Sequence, residues 1–207
     1  MFCCVAGSAC ISNTISMGEA MTKFFANLHM VLAVGVLLTL AVMFGAHADM
    51  VTLNGIFRWL HLFFGITWIG LLYYFNFVQI PTMPKIPAEL KPGVSKHIAP
   101  SALFFFRWGA AFTVLTGLVV AHLTGYLVEA LTLQEPFKLI GIGMWLALIM
   151  AFNVWFVIWP AQQKALGLVE ADDATKAAAA TRAMMFSRTN TLLSLAMLYC
   201  MVNANNG

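Results

Sequence analysis

The chain has 207 residues, of which 61% are hydrophobic and 9% are charged, whereas soluble globular domains carry roughly 25% charged residues. With 11 Lys and Arg, 8 Asp and Glu and a mean hydropathy of +0.86, too few charges are present to keep so much apolar surface in water. The composition therefore excludes a water-soluble fold and predicts an integral membrane protein. The net charge of +3 is not gathered in one patch, so it gives no support to nucleic-acid binding.

The first 23 residues differ from the rest of the chain. They contain neither the basic segment nor the long apolar segment of a secretory signal peptide, and membrane-type patterning begins only after Lys23. We therefore predict a disordered or mis-called N-terminal segment at 1–23, with Met17 or Met21 as an alternative start. The remainder, 24–207, is predicted to be a single transmembrane helical domain.

Apolar stretches of about 20 residues, the length that a helix needs to cross ~30 Å of hydrocarbon, then recur along the chain. They predict an all-α bundle of about five transmembrane helices. Proline-rich 81–100, residues 129–136 and the segment from Pro160 onward are predicted to separate the helices, because proline removes helical hydrogen bonds. The predicted spans are 24–46, 53–80, 101–127, 137–159 and 184–203.

The basic residues are divided unevenly between the two ends of these spans. Nine Lys and Arg residues fall on the side of the N-terminus, and only Arg58 and Lys138 fall on the other side. Basic residues accumulate on the cytoplasmic side of a membrane. The sequence therefore predicts a cytoplasmic N-terminus and a C-terminus on the opposite side.

The last span is predicted to belong to a longer helix. The segment 168–186 is rich in alanine, the strongest helix former, and either Asp172 or Asp173 is suited to cap its start. Nothing interrupts the helix before the span begins. We predict one continuous helix from about 172 to 203, whose first turns extend into the cytoplasm.

Histidine side chains inside the spans are candidates for a functional site, because placing them in lipid is costly unless they find a partner. His61 and His122 lie at similar predicted depth on consecutive antiparallel helices. Two opposed imidazoles are the axial ligands that a haem b iron needs, so the pair predicts a haem site. The alternative is that each histidine only donates a hydrogen bond to a neighbouring carbonyl. Aromatic side chains nearby suit a flat apolar group: Trp59, Phe64, Trp68 and Phe112.

Arg107, Arg188 and Asn190 are further candidates near the predicted cytoplasmic ends of the spans. A guanidinium there would bind a lipid headgroup, a haem propionate, a quinone oxygen or an anionic substrate. The alternative is that each arginine only anchors its helix at the interface. Because Arg188 and Asn190 belong to a cluster of hydroxyl and amide side chains, we predict that they line a polar pocket with Arg107.

Three segments, met in order, resemble the membrane domain of the bacterial membrane-bound urate oxidase (urate hydroxylase) family. Together they place the resemblance at roughly residues 55–203. They are Arg58-Trp59-Leu60-His61 followed by Gly65-Ile66-Thr67-Trp68-Ile69-Gly70 and Tyr73-Tyr74-Phe75, then Asn153-Val154-Trp155-Phe156 with Trp159-Pro160, and finally Ser187-Arg188-Thr189-Asn190-Thr191-Leu192-Leu193-Ser194.

The resemblance implies a multi-pass protein of the bacterial inner membrane that is linked to respiratory electron transfer. Full-length members of that family join such a membrane domain to a C-terminal cytochrome c. This chain has no Cys-x-x-Cys-His motif for a covalently attached haem, so it resembles a short form without the cytochrome. Electrons would then need a separate cytochrome c or an oxidase complex as partner.

Two functions remain open from the sequence. The first is an oxidoreductase subunit that binds haem b and takes part in respiratory electron transfer. The second is a non-catalytic accessory subunit of a larger respiratory or monooxygenase complex, in which the apolar helix faces form a homo- or hetero-oligomeric contact surface.

Overall fold

The computed structural model describes residues 18–48 and 51–204, and every regular element in these two ranges is helical. The all-α prediction is confirmed. The chain divides into two compact units, residues 1–52 and residues 53–207, whereas the sequence predicted one domain over 24–207. Most of the predicted disordered start lies outside the described residues, and its last part belongs to a helical stretch at 18–26.

The described part of the first unit contains one long helix, α1 (Leu28–Ala46). The side chain of Asn27 caps it by accepting a hydrogen bond from the backbone N–H of Met30. None of its residues is buried, and its own apolar side chains project from every side of the helix. A helix of this kind has the composition of one that faces lipid.

The second unit contains four long helices and one short helix. Three of the long ones, together with α1, are long and apolar enough to cross a membrane, which is consistent with a multi-pass membrane protein. The helices are α2 (Leu53–Lys85), α3 (Lys91–Thr124), the short α4 (Leu127–Leu131), α5 (Lys138–Ala165) and α6 (Asp173–Asn203).

Proline widens three of these helices instead of ending them. A π-helical segment stops two residues before the proline in each case, at Tyr74–Gln79, Val94–Ile98 and Asn153–Ile158. A wider turn accommodates a residue that lacks an N–H and whose ring would clash with the preceding turn. The predicted breaks at 81–100 and from Pro160 onward were therefore too long, since α2 and α3 are separated only by residues 86–90.

The core of the second unit lies where α2 packs along α3 and α5 packs along α6. Trp68 is completely buried at its centre. Gly109 of α3 makes this possible, because a Cβ atom at that position would lie 3.3 Å from the backbone nitrogen of Trp68. The other large side chains that are almost completely buried here are Leu72, Phe106, Met150 and Val154.

Helix α6 is continuous over 31 residues, as predicted. Asp172 is its N-cap: one carboxylate oxygen accepts the backbone N–H of Thr175 at 2.7 Å, and the other accepts the Thr175 hydroxyl at 2.9 Å. Both hydrogen bonds stabilise the ionised carboxylate, so they lower the pKa of Asp172.

The second half of α6 coincides with the fifth predicted span, but α6 is not among the helices apolar enough to cross a membrane by composition. Its polar residues explain this result, because Ser187, Asn190 and Ser194 form one buried stripe along the helix. The opposite face carries exposed Leu192 and Leu195. Exposed Arg188 lies on the same side nearer the start of the helix, so both this residue and the buried stripe lower the average hydropathy of α6.

Side-chain amides and hydroxyls connect the buried stripe of α6 to α2 and α5. Asn153 donates from Nδ2 to Oδ1 of Asn190 at 2.9 Å, and Asn190 donates from its own Nδ2 to the carbonyl of Met150 at 2.9 Å. The hydroxyls of Tyr73 and Ser194 lie 3.0 Å apart, and the amide of Asn76 donates to Ser187 at 2.8 Å. These contacts fix the rotation of α6 about its axis.

The buried polar stripe leads us to expect that α6 spans the membrane. An alkaline phosphatase or green fluorescent protein reporter fused after Asn203 should then report the side opposite to a reporter placed at 86–90. If both reporters indicate the same side, α6 does not cross the bilayer.

Breaking the Asn153–Asn190 contact from one side should lower the free energy of unfolding by more than the loss of one hydrogen bond. Replacing Asn190 by Leu leaves the amide of Asn153 buried without its partner, which should lower the free energy of unfolding by about 1–3 kcal/mol. Replacing both asparagines by Leu removes both polar groups and should restore most of that loss. Chemical unfolding in detergent would measure this, with exposed Thr189→Ala as control; equal losses in the single and double variants would contradict a paired contact.

The Asp172 cap should make the stability of α6 depend on pH. The folded-state pKa is depressed below the 3.8 of free Asp, so the stabilisation is present above that value and is lost as the pH falls through the folded-state pKa. The midpoint temperature of thermal unfolding of Asp172→Ala should therefore be lower than that of the wild type at neutral pH. The two midpoints should converge in strong acid. A pH-independent difference would mean that the carboxylate charge is not involved.

Candidate cofactor site

A cavity of about 590 Å³ lies between the long helices of the second unit. It occupies the end of that unit where α2 and α5 begin and where α3 and α6 end, here called the lysine-poor end. Its wall is mostly apolar. The lining residues that matter below are Arg58, His61, Gly117, Tyr126, Met197 and Met201.

The ring of His61 is held in one orientation at the wall of this cavity. Its Nδ1 lies 2.9 Å from the backbone carbonyl of Thr113 on α3. Because a carbonyl can only accept, Nδ1 must carry the proton, and a neutral ring then leaves Nε2 as a free acceptor. A backbone carbonyl on one ring nitrogen is the usual support for a histidine whose other nitrogen binds a metal.

Gly117 of α3 provides the space for this ring. A Cβ atom at Gly117 would lie 2.8 Å from Cε1 of His61 and 3.0 Å from Nδ1, both shorter than ordinary van der Waals contact. The imidazole therefore lies directly over the glycine. The absence of a side chain at this one position allows α3 to hold His61.

Arg58 lies one turn before His61 and is held at the lysine-poor end of the cavity. Its Nε donates to Oδ1 of Asn54 at 2.7 Å, and Asn54 donates to the hydroxyl of Thr124 at 2.7 Å. No carboxylate pairs with Arg58 anywhere in the described residues. Its charge is available to an anionic ligand.

Tyr126 is a second polar group at the same end of the cavity. Burial raises the pKa of its phenol, and the nearby Arg58 opposes that change. The phenol therefore stays protonated at neutral pH and can donate a hydrogen bond. Its ring stacks on Phe137, with centroids 5.3 Å apart.

The structure places the other predicted haem ligand, His122, differently. His122 lies near the end of α3, is exposed, and does not line the cavity. Position 122 follows Gly117 by five residues, which turns it away from the face that holds His61. The structure does not bring His61 and His122 together as opposed imidazoles.

Arg107, Arg188 and Asn190 also have separate surroundings. The guanidinium of Arg107 lies over the ring of Trp159, 3.3 Å from its centroid, a cation–π contact. Asn190 is completely buried against Asn153, whereas Arg188 is exposed. None of the three lines the cavity, and the structure does not gather them into one polar pocket.

Several cavity residues were not recognised from the sequence as site residues. Arg58 entered the sequence analysis only through the charge count and the resemblance, and the methionines were not considered as site residues. The spacing of Met197 and Met201, four residues apart on one helix face, was the available signal. Within residues 18–48 and 51–204 no three His, Cys, Asp or Glu side chains are grouped as metal ligands.

Comparison with protein families gives one match. The model of the urate oxidase N-terminal family matches residues 135–206, which covers α5 and α6 with the Asn153–Asn190 contact and three cavity methionines. Neither curated proteins nor solved structures give a significant match to the chain. The resemblance predicted from the sequence is confirmed over 135–206, while the segment with Arg58 and His61 lies outside the matched residues.

Proposed function

We propose that the protein is a multi-pass subunit of the bacterial inner membrane that binds haem b through His61 and takes part in respiratory electron transfer. The observation that carries this proposal is the imidazole of His61, held by the Thr113 carbonyl over Gly117 at the wall of a cavity of about 590 Å³. The resemblance to the urate oxidase N-terminal family supports a redox setting.

The cavity suits haem in size and in the chemistry of its wall. Its volume falls in the range of about 300–1,000 Å³ that ligand sites occupy, and its mostly apolar wall suits the face of a macrocycle. The fixed tautomer of His61 offers a neutral Nε2, which is the form that binds iron. Arg58, which has no carboxylate partner among the described residues, would bind the propionates.

Each of these residues has a distinct role in the proposed site. Thr113 orients the imidazole and Gly117 leaves room for it, and the phenol of Tyr126 would donate a hydrogen bond to a propionate. The apolar residues of the wall exclude water and lower the local dielectric constant. Bound haem would supply one-electron redox chemistry.

The positive-inside rule places the lysine-poor end on the outer side of the membrane. The cavity would then lie close to the outer surface. A separate cytochrome c or an oxidase complex would exchange electrons at that surface.

Purified protein should show the α-band of a b-type haem in a reduced-minus-oxidised spectrum. His61→Gln should lose the haem or change its spectrum, because an amide can still donate to the Thr113 carbonyl but offers iron no imidazole. Gly117→Ala should also lower haem content, because the methyl group displaces the ring. The matched control is His29→Gln, since His29 is exposed in the first unit.

Two results would decide against this function. Wild-type protein that neither contains haem nor binds added haemin would leave the accessory-subunit hypothesis in its place. Unchanged haem content and spectrum in His61→Gln would show that haem binds elsewhere.

A further inference from the structure

We infer that Met201 is the second axial ligand of the haem held by His61, so that the iron has a histidine and a methionine rather than two histidines. This inference rests on the proposed haem site. It starts from the position of the cavity methionines, since Met144, Met197 and Met201 all line the cavity.

Thioether sulfur is a suitable partner for this site. Methionine sulfur is a neutral, soft ligand that binds haem iron opposite histidine in electron-transfer proteins. It needs no proton change in an apolar setting, whereas a second imidazole would bring another polar group to bury. His122, which is exposed and outside the cavity wall, has no comparable position.

The depth of each methionine can be compared with that of His61. Helices α2 and α6 run in opposite directions, and the contact between Tyr73 and Ser194 fixes their relative position. At ~1.5 Å per residue, His61 lies roughly 18 Å beyond Tyr73 towards the lysine-poor end, and Met201 lies roughly 10 Å beyond Ser194. The offset between their Cα positions is about one and a half helical turns. Because the His61 ring is held by Thr113, the flexible side chain of Met201 would span it.

The other two methionines are less favourably placed. Met197 lies only ~4.5 Å beyond Ser194 by the same measure, well below the level of His61. Gly143 faces Cys200, with its Cβ position 2.9 Å from the Cβ of that cysteine, so Met144 also lies deeper than Met201. Among the three, Met201 is the closest in depth to His61.

The side chain of Met201 also has room to move. Its Cε lies 3.4 Å from the Cβ position of Gly143 on α5, so the glycine provides space beside the methyl group. Met201 is partly buried, and methionine is unbranched and flexible. Rotation about its side-chain bonds would direct its sulfur into the cavity that it lines.

The test compares Met201→Leu with Met197→Leu and with exposed Met185→Leu in haem-loaded protein. Leucine keeps the volume and apolar character but cannot bind iron. Met201→Leu should lose the sulfur-to-iron charge-transfer band of the ferric haem, and its ferrous form should gain carbon monoxide binding. Both signals should stay at wild-type values in Met185→Leu, whose side chain is exposed and outside the cavity wall. Their loss in Met197→Leu but not in Met201→Leu would overturn the assignment to Met201.

A second variant covers the case in which Met201→Leu loses haem altogether. Met201→His should retain haem, give the spectrum of a bis-imidazole centre and lower the reduction potential, because a methionine ligand raises it. A wild-type bis-imidazole spectrum, or an unchanged charge-transfer band in Met201→Leu, would overturn the assignment to Met201 and leave the haem site intact. A wild-type protein without haem would overturn both.

Discussion

The Asn153–Asn190 pair is the contact on which the arrangement of the second unit depends. The outward-facing surfaces of the helices are mostly apolar. Apolar packing alone would therefore not select one rotation of α6 over another in lipid. A buried amide satisfies its hydrogen bonds in only one orientation. Once Asn190 faces α5, Ser187 and Ser194 face α2 and the methionines beyond them face the cavity. The polar contacts thereby determine which residues form the site.

The cavity and the polar contacts divide the second unit into two functional halves. In the half farther from the lysine-poor end, amides and hydroxyls hold α2, α5 and α6 together. Near the other end, those helices enclose the cavity beside His61. Rigid packing in one half supports a fixed space in the other, which is a requirement for binding a large flat group without collapse.

Composition and helix periodicity were sufficient to predict the helical fold, the approximate positions of the long helices and the continuous α6. The N-cap was predictable to within one residue, as Asp172 or Asp173, because a carboxylate directly before an alanine-rich segment is suited to cap a helix. The extent of the helices at Pro81 and Pro160 was not predictable, because a proline in the sequence does not reveal whether a π-helical segment will let the helix continue past it.

The site was predictable only in part, for a geometric reason. His61 was a candidate because a histidine in an apolar segment is costly, but its partner could not be found from depth alone. Depth places a residue along a helix and says nothing of its direction around the helix axis, which is what separates exposed His122 from the cavity wall. Arg58 and Met201 acquire their significance only from neighbours on other helices.

The buried polar stripe of α6 has a consequence for how the protein is made. During synthesis each segment is tested for insertion by its own hydrophobicity, and a segment with Ser187, Arg188, Asn190 and Ser194 would be a poor candidate when tested alone. The buried side chains of Ser187, Asn190 and Ser194 find partners in α2 and α5, which are synthesised earlier. A membrane-spanning α6 would therefore depend for its insertion on helices that are already in the membrane, and the bundle would be completed in the order in which its sequence is translated.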